Sequence, residues 1–123
     1  MDYTFSNSQP IWMQLTDILT ERIVTGVYPA GERIPTVREF AAAFGVNPTT
    51  MQRALTQLEA DGLVCTNRTV GRSVTQDEAV LVAMREQTLE ELARECAEKF
   101  MTFGVTPTQA AQLLLGLETK KEE

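Results

Sequence analysis

Apolar residues return at three- and four-residue steps in several stretches of the chain. Ile11, Leu15, Ile18, Leu19 and Ile23 form the first, Val37, Phe40, Ala41 and Phe44 the second, and Met51, Ala54, Leu55 and Leu58 the third. That period is helical, so each stretch predicts an amphipathic helix with one buried stripe. Between residues 63 and 75 the pattern changes. Leu63-Val64-Cys65-Thr66 and Ser73-Val74-Thr75 are β-favouring runs on either side of Asn67-Arg68-Thr69-Val70-Gly71-Arg72, which predicts a hairpin with arginines near its tip. The helical period resumes from about Asp77 to Phe103, through Leu81, Met84, Leu89, Leu92, Cys96, Phe100 and Phe103, and again at Ala110, Leu113, Leu114 and Leu117.

The residues between these stretches fix their ends. Thr36 stands three positions before Glu39, the spacing of a capping box, and Gly45 can take the left-handed conformation that closes a helix. Asn47 can cap the next helix, with Pro48 in a first turn where no backbone donor is needed. Asp61-Gly62 stops it. Away from its buried stripe, this helix carries Thr49, Thr50, Gln52 and Arg53, short hydrogen-bonding groups with one cation. Such a face suits base edges and phosphates. A short helix, a turn, a second helix and a hairpin together read as a helix-turn-helix with a wing, a module that places a helix in the DNA major groove.

In the same segment the sequence resembles the GntR family of bacterial transcription regulators, over roughly residues 8–75. Four motifs carry the resemblance. These are Pro10-Ile11-Trp12, the Gly26 to Gly31 spacing, the run from Ile34-Pro35-Thr36 to Arg38-Glu39, and the run Arg53-Ala54-Leu55 to Leu58-Glu59 and Gly62-Leu63. The short tail and Val46-Asn47-Pro48 look most like the YtrA-type branch, whose members lack a large ligand-binding domain. The resemblance implies DNA contacts at Arg38, Asn47, Thr49, Thr50, Gln52 and Arg53, with Arg38 on phosphate, and at Arg68 and Arg72 from the wing. One departure matters: the family's wing usually reads Gly-x-Gly-Thr-Phe-Val, whereas here Gly71 is followed by Arg72-Ser73-Val74. Pro48 and Gln52 stand where other members often have arginine, so base preference cannot be copied from them.

Charge first argues against this picture, because a net −6 opposes approach to phosphate. Its distribution answers the objection. Residues 1–75 carry a net −1 and residues 76–123 a net −5, and the cations of the first part are all arginines: Arg22, Arg33, Arg38, Arg53, Arg68 and Arg72. Arginine grips phosphate or guanine with two parallel bonds. With so few cations, one copy binds modestly and productive binding calls for two.

The tail offers a way to pair. A lone helix cannot bury the stripe Leu81, Met84, Leu89, Leu92, Cys96, Phe100 and Phe103. Gly104 ends that helix, Thr106-Pro107-Thr108-Gln109 repeats the cap-plus-proline pattern, and Leu113, Leu114 and Leu117 mark a second stripe. These residues predict a homodimer seam; folding back onto the chain's own winged helix is the alternative. Residues 119–123 are expected to fray.

Other chemistry has little support. Histidine is absent, and Cys65 and Cys96 show no metal-ligand spacing, so no metal, cofactor or catalytic residue is expected. Both cysteines sit among apolar neighbours and are read as reduced core residues. Glu86, Glu90, Glu91, Glu95 and Glu98 interleave with Arg85, Arg94 and Lys99 as a solvated helix face. Trp12, with Phe5 and Tyr3, is read as stapling the first helix to the core. No apolar run long enough for a membrane span and no signal segment are present. The expectation is therefore an α+β winged helix over residues 1–75 and a two-helix dimerisation tail over 76–123. Such a protein is a cytoplasmic, non-enzymatic, sequence-specific regulator of transcription, with repression expected, that binds double-stranded DNA at an inverted repeat. The rival is a winged helix used for protein interaction. No effector is specified, and the tail leaves no room for a separate sensor domain of about 100 residues.

Overall fold

A computed structural model describes residues 4–122 and divides into two compact units between Arg85 and Glu86. Tyr3 and Glu123, both named above, lie outside the described residues. The first unit begins with α1 (Ile11–Val24), in which Leu15, Leu19 and Ile23 repeat at four-residue steps and are buried. The second helix, α2 (Val37–Phe44), opens on the expected capping box: the Glu39 amide donates to Thr36 Oγ1 at 3.1 Å and the Thr36 amide to Glu39 Oε1 at 3.0 Å. Gly45 closes it at φ 67°, and the Val46 amide reaches back to the Ala41 carbonyl at 3.0 Å. Asn47 Oδ1 then accepts from the Thr49 amide at 2.7 Å and starts α3 (Pro48–Ala60).

Both α1 and α2 pack on α3, whose Met51, Ala54, Leu55 and Leu58 are fully buried. Phe40 and Phe44 from α2, with Ile34, Leu63, Val64 and Val74, complete one continuous core. Tyr28 meets Phe40 edge-on at 6.0 Å, and the Arg22 guanidinium lies over the Phe44 ring at 5.1 Å. Arg22 also donates to the Tyr28 hydroxyl at 2.9 Å, so this arginine closes one side of the core.

The hairpin is tighter than the sequence pattern predicts. Strand β1 (Val64–Asn67) pairs antiparallel with β2 (Gly71–Val74) in the register Val64 to Val74, Cys65 to Ser73, Thr66 to Arg72 and Asn67 to Gly71. Only Arg68, Thr69 and Val70 form the tip, because Asn67 Oδ1 accepts from the Thr69 and Val70 amides at 2.8 and 3.2 Å and Gly71 takes φ 91°. On its other edge, β2 meets an isolated bridge from Arg33 to Ser73. There the Ile34 amide donates to the Arg72 carbonyl and the Val74 amide to the Glu32 carbonyl. Val64 faces the core, so strand alternation turns Cys65 outward. The expectation of a buried Cys65 is therefore corrected: it is exposed, while Cys96 is half-buried.

Helix α4 (Glu78–Met101) starts where Asp77 Oδ1 accepts from the Ala79 amide. Its first turns belong to the first unit, because Val80, Leu81 and Met84 pack against the winged-helix core. Leu81 and Met84, expected in a dimer seam, are thus reassigned. The period places them on an apolar stripe, and that stripe continues the domain's own core.

In the second unit, Gly104 at φ 74° ends the α4 run and the Val105 amide returns to the Phe100 carbonyl. Thr106 and Gln109 make a second reciprocal capping box and open α5 (Pro107–Glu122). This helix runs past Leu117 to Glu122, into the stretch expected to fray. Ala110 is buried, but Leu89, Leu92, Phe103, Leu113, Leu114 and Leu117 are 47–75% exposed. Met101 and Leu115, which the sequence pattern did not single out, are exposed with them.

Candidate nucleic-acid interface

Helix geometry arranges the outward residues of α3 into a strip. At 3.6 residues per turn, Thr49, Gln52, Thr56 and Glu59 fall within roughly 80° of one another, with Arg53 on the flank away from Glu59. Thr49, Gln52, Arg53 and Thr56 are exposed, and Thr50 is half-buried at the edge. Thr56 Oγ1 donates to the Gln52 carbonyl at 2.9 Å, and Gln52 Nε2 lies 3.4 Å from Thr56 Oγ1, so Gln52 extends along the strip. Until Glu59 the strip holds only hydroxyl and amide groups, which can donate to or accept from base edges.

Each flank ends in an arginine with a partner. On one side the Arg53 guanidinium lies over the Trp12 ring, 4.2 Å from its centroid. Trp12 belongs to α1, and its expected role as a staple gains a second part, that of holding a cation beside α3. On the other side Arg72 Nε donates to Glu59 Oε1 at 2.6 Å, with side chains 18% and 33% exposed. Arg72, expected near the tip, is therefore a strand residue turned back onto α3. The three-residue tip moves it into β2, from where its side chain reaches Glu59 on α3. Burial pushes the Glu59 carboxyl up, but hydrogen bonds from Arg72 and Thr66 and the charge of Arg72 outweigh this and hold it below the usual carboxylate range.

The remaining expected residues are spread around this strip. Arg38 is exposed in the first turn of α2, beside the capping Glu39. Asn47 is exposed, but its Oδ1 is occupied by the cap of α3. Arg68 stands exposed at the hairpin tip. Arg33 was not among the expected site residues, yet it is exposed and a methyl group at Gly71 would lie 3.9 Å from its Nε, so its side chain runs beside the hairpin. The signal available in the sequence was slight: an arginine three residues ahead of the Thr36 cap.

In the second unit, Cys96, Lys99, Phe100, Phe103 and Val105 line an apolar groove of about 470 Å³. Among the described residues no cluster of His, Cys, Asp or Glu could hold a metal ion, and no helix is long and apolar enough to cross a membrane.

A three-helix core, an outward polar strip on the second helix of a helix-turn-helix and a wing beside it define a DNA-binding winged helix. The chain belongs to the gntR family of bacterial regulatory proteins, whose family model matches residues 13–74. It is a DNA-binding regulator of transcription. It is 29% identical to the HTH-type transcriptional regulator YhcF of Bacillus subtilis over 99% of this chain and 98% of that one. To the transcriptional repressor YtrA of the same organism it is 31% identical, over 58% of this chain and 55% of the other. A GntR family regulator from Listeria monocytogenes superposes with a TM-score of 0.80 at 29% identity, covering 91% of this chain and 98% of its own.

Proposed function

We propose that the protein is a repressor that acts as a two-fold dimer on an inverted repeat, in the cytoplasm and without an enzymatic step. The observation that supports this most directly is the apolar content of the second unit's surface, where Leu89, Leu92, Phe103, Leu113, Leu114 and Leu117 are each exposed. A monomer would present these side chains to water, and clustered exposed apolar side chains mark interaction surfaces. A second copy covers them with the same surface, as two-fold pairing requires. Two linked reading heads then gain affinity from effective concentration, which offsets the small number of cations on each. At each half-site Arg38, Arg33 and Arg68 serve phosphates, while Thr49, Gln52 and Thr56 face base edges. Arg53, held on Trp12, serves the flank. Repression follows where such a site overlaps a promoter, and the similarity to a repressor of the YtrA type favours it.

The test is a selection of bound fragments from random duplexes, followed by sedimentation. The expected result is a dimer at micromolar concentration and an inverted repeat with half-sites centred about one helical turn apart. A monomeric protein, or a selected site without two-fold symmetry, would overturn this reading.

A further inference from the structure

Glu59 occupies an unusual place at the end of the α3 strip. Its carboxylate accepts from Arg72 Nε at 2.6 Å. Arg72 pairs with Thr66 in the β1–β2 register, so the carboxylate on α3 holds the wing through β2 at that rung. The next rung, Asn67 to Gly71, closes the hairpin. The hold therefore sits just below the tip that carries Arg68. Arg72 stands in the part of the wing that departs from the family's usual pattern, so the pairing comes from this chain's own residues.

We propose that Glu59 is a positioning residue for operator recognition. It fixes the wing against α3 so that Arg68 at the tip and Gln52 and Thr56 on the strip meet the duplex in one geometry, and Arg72 works through Glu59 instead of gripping DNA itself. The base of the hairpin does not depend on this hold. Val64 and Val74 are buried in the core, and backbone bonds from Ile34 and to Glu32 already fasten β2. Without the carboxylate the wing stays folded but its tip is free to swing, and each orientation lost to swinging lowers the effective contact of Arg68. The pair is partly exposed, so it adds little to stability in its own right. Its effect is on orientation.

The inference rests on the reading that the α3 strip and the wing tip meet DNA. It is tested on the full-length dimer with its selected operator, by titration and hydroxyl-radical footprinting. Glu59→Ala is expected to lose about tenfold in affinity, the scale of coupling between neighbouring groups. Protection should shrink at the outer edge of each half-site, under the wing, while the bases read by α3 stay protected. Glu59→Gln, which keeps an acceptor for Arg72 Nε, should recover most of the loss. Arg72→Ala should match Glu59→Ala, and adding it to Glu59→Ala should lose nothing more. The exchange Glu59→Arg with Arg72→Glu should restore much of the affinity, and melting temperatures should stay close to wild type throughout. Full affinity and an unchanged footprint in Glu59→Ala would overturn the proposal. So would an extra loss from Arg72→Ala in the Glu59→Ala background with a salt slope flattened by about one, which is the mark of an independent phosphate ligand. A wild type that leaves no footprint on any duplex would instead overturn the contact reading beneath it.

Discussion

The guanidinium of Arg53 rests on the face of Trp12, 4.2 Å from the ring centroid, and so joins the start of the first helix to the flank of the third. An arginine held over an aromatic face loses little further freedom when it meets a phosphate. Trp12→Ala should therefore weaken operator binding by about three- to tenfold, with Trp12→Phe close to wild type, as expected for a cation–π contact of about 1 kcal/mol. Titration checks this, and equal losses in both variants would point to packing of α1 instead.

Arg38→Ala should weaken every duplex by a similar factor and flatten the salt slope by about one, whereas Gln52→Ala should cost about 1–3 kcal/mol at one base pair. Titrations at several salt concentrations, together with binding-site selection, separate the two roles. A relaxed preference at one position in Arg38→Ala, or an unchanged selection profile in Gln52→Ala, would reverse the assignments.

Placing Asp at Leu92 and Phe100 buries charge in the proposed seam, at several kcal/mol for each unpaired ion. Sedimentation should show monomers, and operator affinity should fall steeply while the helical content of the winged helix persists. A double variant that stays dimeric would move the seam elsewhere.

Acid should loosen the first unit in a defined direction. Backbone and side-chain hydrogen bonds from Thr36 hold the Glu39 carboxyl down, slight desolvation opposes them, and the Arg33 charge adds to the lowering. Glu59 is lowered as well. For a depressed carboxyl, the stability it contributes is complete above the ordinary value of about 4.5 and is lost as pH falls through the lower folded value. Thr36→Ala should lose about 1 kcal/mol of stability at pH 7, the usual effect of removing an N-cap, and should show a smaller further loss on acidification. Urea unfolding across pH 3–7 measures both, and parallel curves for the two proteins would exclude this origin of the acid sensitivity.

Features set by neighbouring residues were legible in the sequence. Thr36 with Glu39, Gly45, Asn47 with Pro48, and Thr106 with Gln109 all act within a few positions, so their spacing alone specifies the hydrogen bonds found. The side to which Arg72 turns was not legible, because it depends on where the tip begins, and the Asn67 side chain shortens that tip. The partnership of Arg53 and Trp12 requires the tertiary packing of α1 on α3, which no local pattern encodes. Leu81 and Met84 show a different limit. Periodicity reveals that a helix face is apolar but not what covers it, and two parts of one stripe on α4 have different fates.

That division of α4 has a consequence for exchange between proteins. A fragment cut after Thr75 would strip Val80, Leu81 and Met84 from the core and leave an oily scar on the winged helix. A graft that keeps this core covered, in the laboratory or through recombination of genes, carries the chain at least through Met84. The reading head can change its mode of assembly only by carrying the first turns of its old tail into the new protein.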